Sequence, residues 1–298
     1  ISGSMNNVSL AQYISYFEDN SCKKTFDEVR ELDDSNFIPL TDKKVNIGYS
    51  SSVFWLKFNI KNIHESEITW IIESQYPLLD YISLYIPSVS GYNEIQSGDR
   101  LPFSAMPYGY YNFISKITTG PGSSTIYIRI KSEGSIFAKF RAWDEISFLH
   151  NMFYSVAMFW LFYGIMLALF LYNLFIFITT KDKTFLALSL FILTNLLFTF
   201  THNGMARKYL WPDLTWWNNY SHPFFVLTST IFIIWFTKRY LNTKINLPLT
   251  NRFLNIFISF TIPACLITFF LPYSIATRIS VITAGVVASY LILFTMIP

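Results

Sequence analysis

Negative charge all but disappears from the second half of this chain. After Glu145 the only carboxylate side chains are those of Asp182 and Asp213. Residues 151–298 carry nine Lys and Arg against these two, a net of +7, while residues 1–150 carry thirteen basic and seventeen acidic side chains, a net of −4. Soluble domains are about one-quarter charged; eleven charged residues in 148 exclude an ordinary globule for the second half. The mild excess of base is therefore no nucleic-acid footprint, and no nucleic acid is expected as a partner. Cysteine is as scarce. Cys22 and Cys265 stand one in each half, which excludes a disulfide framework, and neither has metal-ligand spacing. No basic segment leading into an apolar one opens the chain. Ile1-Ser-Gly-Ser4 reads as a vector remnant, and a native export leader is expected to have been removed.

What the second half has instead is apolar length. Asn151 through Thr180 is thirty residues without a charge, and about twenty apolar residues suffice to cross a bilayer as a helix. Further runs follow, giving five expected spans near 152–180, 184–202, 217–240, 253–271 and 275–297. Pro263 should kink the fourth rather than end it, because lipid offers the backbone no alternative partner. Lys181, Lys183, Lys238, Arg239, Lys244 and Arg252 fall on one side of these spans; Arg207, Lys208 and Arg278 fall on the other. The positive-inside rule puts the first set in the cytoplasm, so residues 1–150 lie outside and the chain reaches the cytoplasm at Pro298. Tyr209, Trp211, Trp216, Trp217 and Tyr220 suit an aromatic belt at the outer interface, with membrane lipid as the partner.

The first half reads as a lead-in over 1–44, a β-sandwich over 45–147 and, from 148, the membrane domain. In the lead-in, Thr25 and Glu28 fit a capping box for a short helix near 26–32 that shows Phe26, Val29 and Leu32 on one face. The polar Thr41-Asp42-Lys43-Lys44 closes it. From Val45 the period is two. Phe54, Leu56, Phe58 and Ile60 share a face, as do Ile82, Leu84 and Ile86; Ile126, Ile128 and Ile130; and Ile136, Ala138, Phe140 and Ala142. Turn residues such as Lys61-Asn62, Pro87-Ser-Val-Ser-Gly91 and Gly120-Pro-Gly122 separate these runs. Short alternating strands at such spacing argue an all-β antiparallel sandwich.

Several residues are candidates for ligand contact. Trp55, Tyr127, Arg129, Arg141 and Trp143 sit on the polar faces and would form an aromatic, cationic platform for a sugar or an acidic ligand if one concave sheet carried them all. The competing reading is that the two tryptophans fill the second face of the packing, with basic side chains lying over them. Tyr76 and Asp80, with Glu73 nearby, form a second candidate; Asp80 could take a divalent cation such as calcium, although calcium wants six to eight oxygens and a lone Asp is commonly a turn cap. No cofactor is otherwise expected. Tyr108-Gly-Tyr-Tyr111 suits a loop tip acting as a ligand lip or a membrane-proximal contact. Asp144 is placed to cap a helix that runs without Gly or Pro as far as Gly164, so one stiff helix is expected to carry a signal from the sandwich into the membrane. Gly164 and Ala168 form a small-residue contact face beside Asn173. Asn173 and Asn195 are the main polar candidates within the spans, which argues against an ion-coupled transporter. A membrane-anchored glycan-acting enzyme would need paired carboxylates or a nucleophile with its base; Glu73, Asp80, His64 and His150 make no such pattern, and no enzyme activity is expected of this chain.

Phe54-Trp-Leu-Lys-Phe58, Pro77-Leu-Leu-Asp-Tyr-Ile-Ser-Leu-Tyr85, Gly98-Asp-Arg-Leu-Pro-Phe103 and Tyr127-Ile-Arg-Ile-Lys-Ser-Glu-Gly-Ser135 resemble the periplasmic sensor of bacterial seven-transmembrane receptors with diverse intracellular signalling modules. Tyr163-Gly-Ile-Met-Leu-Ala-Leu-Phe-Leu-Tyr-Asn-Leu-Phe175 resembles that family's first span, and Asn203-Gly204, Tyr209-Leu-Trp-Pro212 and Asn218-Asn219 its second outer loop. The resemblance implies a jelly-roll-like outer domain binding carbohydrate or another small ligand, seven helices in a bacterial inner membrane, signalling as a homodimer, and a cytoplasmic module such as a histidine kinase or diguanylate cyclase. The present sequence shows five apolar runs and no such module, so it reads as a truncated stretch or a reduced member.

Overall fold

The computed structural model describes residues 6–40 and 46–295. The expected vector remnant at 1–4, the polar break at 41–44, the expected boundary at Val45 and the chain end at Pro298 lie outside the described residues. By contacts the chain divides into an outer unit, residues 1–155 with 207–215, and a second unit, 156–206 with 216–298.

The outer unit is built of twelve strands: β1 (Val8–Ser9), β2 (Ser15–Asp19), β3 (Ile38–Pro39), β4 (Asn46–Tyr49), β5 (Val53–Asn62), β6 (Ile68–Ser74), β7 (Tyr81–Ser88), β8 (Gly91–Ser97), β9 (Ile114–Thr119), β10 (Gly122–Lys131), β11 (Ser135–Phe137) and β12 (Phe140–Trp143). They form a six-stranded sheet in the order β3-β2-β5-β10-β7-β8, a four-stranded sheet in the order β1-β12-β6-β9, and a β11-β4 pair. Every pairing among them is antiparallel. The expected alternation sets the core: Phe54, Leu56, Phe58, Ile82, Leu84, Ile126, Ile128 and Ile130 of the large sheet meet Trp70, Ile72, Ile117, Phe140 and Ala142 of the small one in a single buried cluster. The lead-in is woven into this sandwich, since β1 pairs with β12 and β2 pairs with β5.

Two local readings need correction. Lys61-Asn62, read as a turn, completes β5. Ser135–Trp143, read as one strand, breaks at Ala138-Lys139, so that β11 serves the β4 pair and β12 the four-stranded sheet. The helix expected near 26–32 is α1 (Phe26–Arg30), with both halves of its capping box made: Glu28 N donates to Thr25 Oγ1 at 3.4 Å, and Thr25 N donates to Glu28 Oε2 at 2.7 Å.

Helix α2 (Glu145–Thr180) runs for 36 residues without interruption, about 54 Å at ~1.5 Å per residue. The others are α3 (Lys183–His202), α4 (Met205–Tyr209), α5 (Thr215–Tyr240), α6 (Thr243–Asn246), α7 (Pro248–Ile267) and α8 (Tyr273–Thr295). Helices α2, α3, α5, α7 with its following turn, and α8 are long and apolar enough to cross a membrane. Pro263 sits inside α7 without ending it.

Within the second unit, Asn195 Nδ2 donates to Ser229 Oγ at 2.7 Å and ties α3 to α5. Asn173 is buried but donates at 2.8 Å to Leu169 O of its own helix, so it is no glue between helices. Gly164 and Ala168 are exposed, and a Cβ on Gly164 would meet nothing within 4 Å. The α2 contact is made by Tyr163 instead, which packs on Phe200 at 4.7 Å and accepts from Asn203 Nδ2 at 2.9 Å.

Candidate functional site

Trp55, Tyr127 and Arg129 do come together on the outer face of the six-stranded sheet. Trp55 is opposite Arg129 in the register, Tyr127 is opposite Lys57 and Tyr85, and the Arg129 guanidinium lies 5.7 Å from the Trp55 ring. The face is closed, however. Phe26 of α1 stacks on Tyr85 at 4.2 Å and meets Tyr92 and Tyr127 edge-on, while Val29 completes the seal. Trp55 is left 1% exposed, which is the packing reading of this tryptophan rather than an open platform. Arg141 and Trp143 lie on β12 in the other sheet, so the five residues expected on one surface are divided between two. Alternation along a strand gives the face and not the sheet, which is why the sequence merged them.

Asp80 belongs to a second cluster. The chain approaches itself so closely here that a Cβ on Gly98 would stand 2.1 Å from Asp80 O, and Gly98 adopts φ +142°. That contact sets Asp99 beside Asp80, both buried. Asp80 Oδ2 accepts from Glu133 N at 2.8 Å and has Arg100 Nε at 3.6 Å; Arg100 Nη2 continues to Glu133 Oε2 at 2.9 Å. Burial, then the neighbouring Asp80 carboxylate, pushes Asp99 up to about 8. Two carboxyls in one buried place cannot both ionise, and Asp80, with its amide and arginine partners, is the one suited to hold the charge. The Tyr76 hydroxyl is pushed upward by burial and then by Asp99, which marks it as a neighbour of the pair. The cation reading of Asp80 is not supported by this arrangement: the carboxylate is engaged by Glu133 and Arg100, and among the described residues no group of three or more His, Cys, Asp or Glu could hold a metal.

Arg207 reaches the same loop from the segment between α3 and α5. It is 5% exposed, donates from Nη2 to Leu101 O at 2.9 Å and lies 5.8 Å from the Phe103 ring. Phe103 N in turn donates to Pro212 O at 2.9 Å. Residues 207–215 thus belong to the outer unit, although both their neighbours in sequence are long apolar helices.

A third constellation lies where β12 becomes α2. Glu73 is buried on the outer face of the small sheet and accepts from Asn112 Nδ2 at 2.9 Å and from Trp143 Nε1 at 3.0 Å. Burial holds its pKa above the ordinary carboxylate range. One residue on, Asp144 caps α2, accepting from Ser147 N at 2.9 Å, and these bonds hold its own pKa down. Phe148 follows, 2% exposed, with its ring edge-on to Tyr110 and Trp143. Tyr110 also donates to the Tyr111 hydroxyl at 2.8 Å. The first turn of α2 is therefore part of the sandwich packing. Beside it opens a cleft of about 390 Å³, floored by Ile71, Ile114 and Phe148 and flanked by Lys116, Glu145 and Lys208.

Residues 11–144 match the sequence model described as 7TMR-DISM extracellular 2, and residues 155–297 match the one described as 7TM diverse intracellular signalling. The chain belongs to this receptor family. No curated protein matches it in sequence. The 7TMR-DISM receptor is a multi-pass membrane protein with an extracellular amino-terminal domain; the first match ends at the residue before α2 and the second begins within that helix.

Several residues of the receptor's outer unit went unread in sequence. Asp99 was quoted only within a motif, and Arg207 only as a loop charge. Glu73 stands in sequence only as a neighbour of Asp80, yet it is the acceptor that fixes Trp143. In the second unit, His202 Nδ1 and His222 Nε2 lie 3.3 Å apart against Phe198, a polar contact that a count of charged residues passes over.

Proposed function

We infer that the receptor takes up a small ligand at its outer unit and passes the change inward along α2 to a cytoplasmic signalling module, in a bacterial inner membrane and as a homodimer. The observation that carries this reading is the start of α2. Trp143 is held by Glu73, Asp144 caps the helix and Phe148 is packed in the sandwich, so a helix that goes on for a further thirty-two residues begins as part of the sensor. A shift in the packing of Phe148 or Trp143 has no Gly or Pro before Gly164 to absorb it. Arg207 and Pro212 supply a second contact, from the loop 98–106 to the segment that joins α3 and α5.

For the ligand, the carbohydrate and cation readings stand unequally with what surrounds each candidate. The aromatic face at Trp55 lies under α1, and Asp80 is occupied by Arg100 and Glu133. The cleft beside α2 is open and adjoins the helix start, which favours it as the place of uptake. A thermal-shift panel of sugars, divalent cations and amphiphiles on the full chain in lipid nanodiscs tests this. A binder present at a hundredfold excess over its dissociation constant should stabilise the fold by about 2.7 kcal/mol. Stabilisation that survives filling the cleft with Leu149→Trp would contradict the assignment of the site.

A further inference from the structure

Resting on that reading, we propose that the cleft beside α2 binds a single-chain anionic amphiphile of the fatty-acid type. Its floor is apolar where a sugar site would carry directed donors and acceptors: Ile71, Ile114 and Phe148 are buried there, and Leu149 and Tyr108 are 48% and 54% exposed at the rim. At about 390 Å³ the cleft falls at the small end of the ligand-site range of roughly 300–1,000 Å³, which admits one acyl chain and excludes a two-chain phospholipid.

The head group follows from charge. Lys116 Nζ stands 3.3 Å from the Glu145 carboxylate, and Lys208 of α4, whose ammonium lies 5.1 Å from the Tyr209 ring, lines the same cleft, so two cationic side chains stand there against one carboxylate. That excess of one positive charge selects an anion. Surface ion pairs such as Lys116–Glu145 are worth little in themselves, so Lys116 can turn to a ligand carboxylate at small cost. The chain of such a ligand would lie on Phe148, Leu149 and Met152, the first two turns of α2, one step from the uncharged run that begins at Asn151. A ligand so placed would touch β9, α4 and α2 together, and the helix that carries the signal would form one wall of its site.

The test uses the full chain in nanodiscs of zwitterionic lipid, with dodecanoate and dodecanol competing against a fluorescent fatty acid. Dodecanoate should displace the probe at least tenfold more effectively than dodecanol. Lys116→Gln combined with Lys208→Gln should remove that preference, and Leu149→Trp should abolish displacement by both while leaving the melting temperature within a few degrees. Equal displacement by acid and alcohol, or displacement unchanged by Leu149→Trp, means partition into the disc and overturns the proposal. Saturable, charge-dependent binding without any response at the cytoplasmic end of α2 would leave the cleft standing and bring down the transmission reading instead.

Discussion

Asp99 keeps its proton because burial and the Asp80 carboxylate both oppose a second negative charge. In an unfolded chain an aspartate titrates near ~3.9, whereas in the native outer unit Asp99 does so at about 8. Between those values the native state binds the extra proton, so the stabilisation is complete below the unfolded value and is lost as pH rises through the native one. The melting temperature of the outer unit should fall from pH 5 to pH 8, and Asp99→Asn should flatten that part of the profile and raise stability at pH 8. A wild-type profile that the substitution leaves unaltered contradicts the shared-proton account. Gly98 is the other decisive residue in this cluster: Gly98→Ala drives a Cβ into Asp80 O at 2.1 Å, backbone against backbone, and should cost more than the ~1 kcal/mol typical of a point substitution. Native-like stability of that variant by chemical denaturation would contradict the close approach. Gly98, Asp99 and Arg100 were visible in sequence as a motif, but their partners were not. Glu133 is thirty-three residues on from Arg100, and Arg207 lies in a loop whose charge reads as a marker of membrane orientation.

At the scale of elements, the sequence was most readable where a single face is buried. β5, β7 and β10 alternate because one side meets the core, and Thr25 with Glu28 announces α1. β6 is hidden in sequence because both its faces are largely covered: Trp70 and Ile72 point to the core, while Ile71 and Glu73 lie on the side where the 108–112 loop and Phe148 pack. β8 was missed for the opposite reason, since Tyr92, Asn93, Glu94 and Gln96 give an edge strand little apolar pattern. The lid over Trp55 depends on α1, a helix of five residues. Thr25→Ala removes its cap and should cost about 1 kcal/mol; a loss of Trp55 shielding from an aqueous quencher should accompany it, and unchanged quenching would mean that α1 is held by Phe26 and Val29 alone. In α2 the continuity was readable from the lack of Gly and Pro before Gly164, while its contact residue was not. Small residues suggest Gly164 and Ala168, whereas the contact seen from α2 to the end of α3 runs through Tyr163, which accepts from Asn203.

For the whole molecule, two features follow from the same charge asymmetry. An acidic, alternating first half folds into a sandwich, and a sparsely charged, basic second half supplies, among the described residues, five helices of membrane-crossing length. α2 runs from one into the other, and its first turn is held by Glu73, Asp144 and the packing of Phe148. Inserting Gly-Gly after Ser155 should leave binding at the outer unit intact, because the Asp144 cap and the cleft residues Phe148, Leu149 and Met152 all precede it, while uncoupling the helix beyond it. The central claim is that a change in the outer unit reaches the inner end of α2. It is tested most directly by electron–electron spin-label distances between positions 181 and 239, in the full chain in nanodiscs, with and without a compound that stabilises the fold in the thermal-shift panel. A shifted distance distribution in the wild type, absent from the Gly-Gly variant, is the predicted result; identical distributions with and without the bound compound would contradict it.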